Sequence, residues 1–124
     1  MFELTINGVV YQFNFGMGFM RTINKKVGTP VDGLPDVKRN IGLRYYISGV
    51  MDGDLEDLEE ILLAANVNQN PRITREDLDA YIDDADTDID KLFKDVLDFL
   101  KSANATKKTV ESILEAVEQQ KNKN

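Results

Sequence analysis

The sequence predicts an α+β fold that is mostly α, an N-terminal β-hairpin packed on a bundle of about five to six short helices. Two patterns predict it. Residues 2–13 alternate apolar and polar on either side of Asn7-Gly8, the period and the turn of a hairpin. From there on, apolar residues recur mainly at three- and four-residue spacing, as in helices that bury one face. A third observation bounds the answer. With 124 residues, 42% hydrophobic and 30% charged, the chain makes one domain whose core needs no disulfide or metal. That single domain is expected over residues 1–120, with 121–124 as a frayed tail.

The hairpin is the most fully specified element. Phe2, Leu4 and Ile6 alternate with Glu3 and Thr5, and Val9, Tyr11 and Phe13 alternate with Val10 and Gln12. Asn7-Gly8 supplies the two positive-φ residues of a type I′ turn. A two-residue loop then pairs Ile6 with Val9, Leu4 with Tyr11 and Phe2 with Phe13 on one face. Glu3 meets Gln12 on the other. Two strands are marginal alone, so the apolar face must rest on helices. The first helix spans about 17–27, with Phe19, Met20, Ile23 and Val27 on one face and Gly28 and Pro30 stopping it. Residues 28–40, GTPVDGLPDVKRN, hold two Pro and two Gly and read as a loop.

Residues 41–51, IGLRYYISGVM, are apolar on several sides, which suits a helix or a strand. A buried helix is the better reading, because a strand here would need a partner that no other segment offers. Asp52-Gly53-Asp54 breaks it and caps a helix over about 55–65. Leu55, Leu58, Ile61, Leu62 and Ala65 form that helix's core face, and Glu56, Asp57, Glu59 and Glu60 lie largely outside it. NVNQNPRI, residues 66–73, is a polar connection. Thr74 caps a short helix with Leu78, Tyr81 and Ile82 as its apolar contacts. Thr87 with Asp90 resembles a variant capping box, using Asp where Glu or Gln is usual. It opens a helix to about Ser102 on the stripe Ile89, Leu92, Phe93, Val96, Leu97 and Leu100. A last helix over about 105–120 carries Val110, Ile113, Leu114 and Val117.

Composition excludes several functions. There is no Cys, His or Trp, so disulfides, thiol chemistry and the commonest general base and zinc ligand are all missing. The start, Met-Phe-Glu-Leu-Thr, has no basic region or long apolar run, so no signal peptide is expected. No window approaches a membrane span of ~20 apolar residues. The net charge of −7 is uneven: +3 over residues 1–51, −12 over 52–100 and +2 over 101–124. An acidic chain is a poor partner for nucleic acid or anionic membrane, which need a positive footprint. The asymmetry allows the basic part of one copy to meet the acidic middle of another, although a solvated acidic face is the plainer reading.

Three apparent motifs dissolve on inspection. In a Ca²⁺ loop starting at Asp84, the sixth position would be Ile89 where the turn needs Gly, and the twelfth Asp95 rather than a bidentate Glu. FGMGF has no third Gly and no Lys-Ser/Thr for a phosphate. The serines at 48, 102 and 112 have no His or patterned Lys to activate them. No catalytic, cofactor-binding or metal-binding residue is assigned, and an enzyme is not expected. Candidate partner-binding residues are Met17, Phe19, Met20, Tyr45 and Met51; Met, unbranched and polarizable, repacks around different apolar partners. Phe19 and Met20 also fit the buried stripe, which leaves Met17 as the better candidate for exposure.

Taken in order, the hairpin with FNFGMGFMRTINKK, then GLRYYISGVMDGDLEDLEEILLAA, PRITREDLDAYIDD and DTDIDKLFKDVLDFLKSANATKK resemble the tail assembly chaperones of long-tailed (siphovirus-type) phages and prophages of Gram-positive bacteria. The likeness spans nearly the whole chain, with residues 28–40 contributing least. It implies a non-enzymatic protein of the host cell cytoplasm, not expected in the mature virion. Such a protein binds and solubilises the tape measure protein, the helical ruler of the tail, and helps recruit tail tube protein. Many members are also made as a longer frameshifted product. Self-association along the ruler fits the charge asymmetry. The alternative class is a small acidic protein-binding regulator with no enzymatic activity, docking through its acidic middle.

Overall fold

The structure, a computed structural model, describes residues 1–122. β1 (Phe2–Ile6) and β2 (Val9–Phe13) pair in the expected register, Phe2 opposite Phe13 and Ile6 opposite Val9. Asn7 and Gly8 turn the chain at φ 52° and 77°. Phe2, Ile6, Tyr11 and Phe13 are buried, and on the outer face Gln12 Nε2 donates to Glu3 Oε1 at 3.3 Å.

α1 (Met17–Asn24) ends three residues before the expected boundary, because the chain is already turning into a second hairpin. Residues 28–40 are therefore not a loop. β3 (Gly28–Val31) and β4 (Leu34–Asn40) pair antiparallel, with an irregularity between Pro30 and Val31 and Gly33 at φ 79° in the turn. Proline misleads here for a physical reason. Both strands of an isolated hairpin are edges, where a missing N–H facing solvent costs no ladder bond. Asp32-Gly33 is the turn signal that outweighs it. The hairpin projects as an arm: every residue of β4 is exposed. At its root the Ile41 N–H donates to the Val27 carbonyl at 2.9 Å.

Residues 41–51 resolve as helix: α2 (Gly42–Met51) packs against α1, α3 (Leu55–Asn66), α5 (Ile89–Ser102) and α6 (Lys107–Asn122). Its first turn lies directly on the end of α1. A Cβ at Gly42 would overlap the Ile23 carbonyl oxygen, so only glycine fits that crossing. Ile41 has no side-chain acceptor, and α1 supplies the cap instead: Asn24 Oδ1 accepts from the Leu43 N–H at 3.2 Å.

Asp54 caps α3, and Thr74 caps α4 (Arg75–Asp83), each accepting from the N–H three residues on. α3 departs from its expected face at both margins. Leu55 stands at the rim, and Glu59 lies inside. At the start of α5 the cap is Asp88, which accepts from the Lys91 N–H at 3.0 Å. Thr87 instead donates to the Tyr81 carbonyl at 2.6 Å, closing the α4–α5 turn. In α6 only Val110 and Ile113 are buried, and Leu114 and Val117 stand in solvent. That helix runs through Asn122, and the last two residues of the expected tail lie outside the described residues.

The described residues thus form two hairpins and six helices around one core. At its hairpin end Phe2 meets Phe13 at 5.7 Å and Phe99 at 5.3 Å between ring centroids, and Phe15 meets Phe19 edge-on at 5.2 Å. Buried Asn66 ties α3 to β2 and to the following loop. Its Nδ2 donates to the Gln12 and Pro71 carbonyls, and its Oδ1 accepts from the Ile73 N–H at 2.7 Å. Every polar atom of that side chain is satisfied, so its hydrogen bonds offset the cost of burying the amide while it fixes register.

Candidate partner-binding surface

Several depressions mark the surface of the described residues, and three of them bear on the candidate residues. The first lies where β2 runs into α1. Gly16 caps α1 in an extended conformation with no side-chain bond, so the first turn begins bare and Met17 points outward, 48% exposed. Beside it is a cavity of about 420 Å³ lined by Phe13, Phe15, Met17, Phe99 and Ala103. A smaller one of about 210 Å³, toward Asn68 at the end of α3, shares Gly16 and Met17. Met17 is therefore a flexible apolar ridge between two hollows.

The second depression, about 590 Å³, lies between α1, the root of β4 and the starts of α2 and α6. Met20, Ile41 and Leu43 give it an apolar floor, with Arg39 and Arg44 at its edge. Ala105 belongs to both this groove and the first. Only the α5–α6 turn separates them.

The third is an acidic cleft of about 680 Å³ between α2, α3 and α4. Arg75 clasps its wall: Nη1 donates to Glu59 Oε1 at 2.8 Å, and Nη2 to Glu60 Oε1 at 2.6 Å. Lys26 reaches Glu60 from the root of the arm at 3.5 Å. Burial, with Asp79 hydrogen-bonded beside it, pushes the Glu59 carboxyl from its ordinary 4.5 up to about 7 despite Arg75. Burial also raises Asp57, helped by Asp54, Glu56 and Glu60, and raises Tyr46. Tyr45 stands at the rim, 52% exposed, with its ring edge-on to Tyr46 at 5.1 Å. No group of three acidic side chains among the described residues is placed to hold a metal ion.

The five candidate residues fall in different places. Met17 and Tyr45 are exposed, on separate depressions. Phe19 is core, and Met20 and Met51 are half-buried against it. What sequence periodicity missed is the wall opposite Met17. Phe99 and Ala103 reach it only through the crossing of α5 under the β1–β2 hairpin, for which local spacing holds no signal.

A family model described as phage tail assembly chaperone protein, TAC, matches residues 3–115 of the chain. This chain belongs to the phage tail assembly chaperone family. The match runs from the first strand into α6 and covers the lining of these three depressions except Met1. No curated protein and no solved structure matches the chain. Membership implies a protein that binds phage tail proteins. Among the described residues no helix of this tail assembly chaperone is long and apolar enough to cross a membrane.

Proposed function

We propose that this tail assembly chaperone binds and solubilises the tape measure protein and helps recruit tail tube subunits during tail morphogenesis. It works without enzymatic activity in the host cell cytoplasm and leaves before the virion is complete. The observation that carries the reading is the groove beside Met17, an apolar hollow with an exposed, unbranched thioether on its lip. A ruler helix exposes apolar stripes until tube subunits cover them, and a helix laid in an apolar groove hides such a stripe. Methionine suits a surface that meets many different turns of one long helix, because it repacks at low cost.

Co-expression with the tape measure protein tests this directly. The soluble fraction of the ruler rises with the chaperone present, and the two co-purify. Met17→Asp keeps the melting temperature within a few degrees, since Met17 is outside the core, and loses the ruler. An unchanged soluble fraction with wild type and no co-purification would sink the proposal.

Copies also associate with one another along the ruler, the basic surface of one meeting an acidic surface of the next. Light scattering at rising ionic strength checks this: mass falls as salt screens the contact, and monomers at every concentration and salt would exclude it.

A further inference from the structure

α6 is half buried and half bare. Val110 and Ile113 sit in the core, yet the same stripe continues into Leu114 and Val117, which are 45% and 46% exposed. From Leu114 to Asn122 every residue of the helix is exposed. That is about 14 Å of helix without tertiary support, where amphipathic packing normally supplies most of a helix's stability. Glu111, Glu115 and Glu118 flank the apolar stripe.

The groove floored by Met20, Ile41 and Leu43 has the complementary character. Its edge carries Arg39 and Arg44. Arg44 Nη1 donates to Ser112 Oγ at 2.9 Å, and among the described residues neither arginine has a carboxylate partner. The exposed half of α6 carries Glu115 and Glu118 beside its apolar stripe, with Lys121 one turn beyond, the groove carries Arg39 and Arg44 at its edge, and neither surface is filled. The β3–β4 arm, whose root forms one wall of the groove, is guarded against strand addition by Pro30, Pro35 and Lys38. Docking here must therefore be by side chains into the groove.

We propose that the exposed half of α6 docks in this groove of a second copy of the same chain, placing Leu114 and Val117 on Met20 and Leu43 and the glutamates against Arg39 and Arg44. The proposal rests on the self-association reading above, with Glu115 and Glu118 of α6 taking the place of the acidic middle as the surface that meets the arginines. Helix-in-groove recognition supplies the apolar anchors, and the charged rims set partner and orientation more than affinity. The anchor is two side chains, so the contact is weak and concentration-dependent, well short of an obligate interface.

Sedimentation of the full chain over a range of concentrations at low salt tests it. Wild type assembles. Leu114→Asp with Val117→Asp retains helix content and melting temperature but assembles at least about tenfold more weakly. Glu115→Lys with Glu118→Lys, and Arg39→Glu with Arg44→Glu, each weaken assembly in the same way, and mixing the two charge-reversed proteins restores it. The chain has no Cys, so Val117→Cys in one copy and Asn40→Cys in another report the contact without background. That mixture cross-links on oxidation, and Val117→Cys with Asp79→Cys does not. If wild type assembles and these variants assemble equally well, the surfaces are wrong while self-association stands. A wild type that stays monomeric throughout overturns both.

Discussion

Glu59 shows how much one side chain's surroundings decide. It sits on α3 among three other acidic residues, and helical spacing places it outside the core face. The structure buries it to 9% exposure under Arg75 and Asp79. Spacing alone could not foresee this, because the side chains that cover Glu59 arrive from α4, after an irregular loop. The consequence is a pH dependence with a definite sign. Its folded pKa of about 7 lies above the ordinary 4.5, so between those values the folded chain binds more protons than the unfolded one. Its contribution to stability is therefore complete below about 4.5 and lost as pH rises through 7. Glu59→Gln keeps an acceptor for Arg75 and a donor for Asp79, and carries no charge. We expect thermal melts of the two proteins to coincide near pH 4 and to separate by pH 8, with the Gln variant more stable. Parallel melts across that range would show that Glu59 is not the titrating group. The hollow beside Met17 follows the same logic. Met17 was legible as the exposed member of FGMGFM, while Phe99 and Ala103 opposite it were not, since no local pattern announces a helix crossing.

The two hairpins divide what elements reveal. In β1–β2, turn chemistry and hydrophobic alternation agree, and the register follows from either. In β3–β4 they conflict. Val31, Leu34 and Val37 do not alternate cleanly, and two prolines argue for a loop. Thr29 and Val31 are only half-buried and all of β4 is exposed, so little pressure holds this element to a two-residue period, and its sequence looks like a loop even where its backbone pairs. Thr87 and Asp88 differ for a smaller reason: both are good caps, and the tertiary bond from Thr87 to the Tyr81 carbonyl leaves the role to Asp88. The arm's independence makes a prediction. Gly28 already faces Asn40, and the Val27 and Ile41 backbones are bonded behind them. Replacing residues 29–39 by Asn-Gly therefore closes the ladder at its root. We expect unchanged helical circular dichroism and a melting temperature within about 3 °C of wild type, the range of a surface change. A collapse in stability would mean the arm supports the core.

At the scale of the molecule, the core is one continuous cluster from Phe2 to Ile113, joining the first hairpin to every helix, while the arm and the outer half of α6 stand off it. Stability should follow that division. Amide exchange in dilute monomer reads it residue by residue, because a group exchanges through the smallest opening that frees it. Tyr11 and Phe13 are buried where β2 packs on β1 and α3, and the Asn14 N–H bonds the Ala65 carbonyl at 2.9 Å. The ladder amides of β1–β2 then open only when the whole domain unfolds. Those of β3–β4 have the same kind of ladder, but with no buried residue on either strand, and open locally. Phe13→Ala removes a fully buried ring and costs roughly 3–5 kcal/mol. It should speed exchange across β1–β2, α3 and α5 together and leave residues 28–40 unchanged, already near the rate of an unfolded chain. Equal protection in the two hairpins, or an arm that accelerates along with the core, would show that the domain opens as a single unit including the arm.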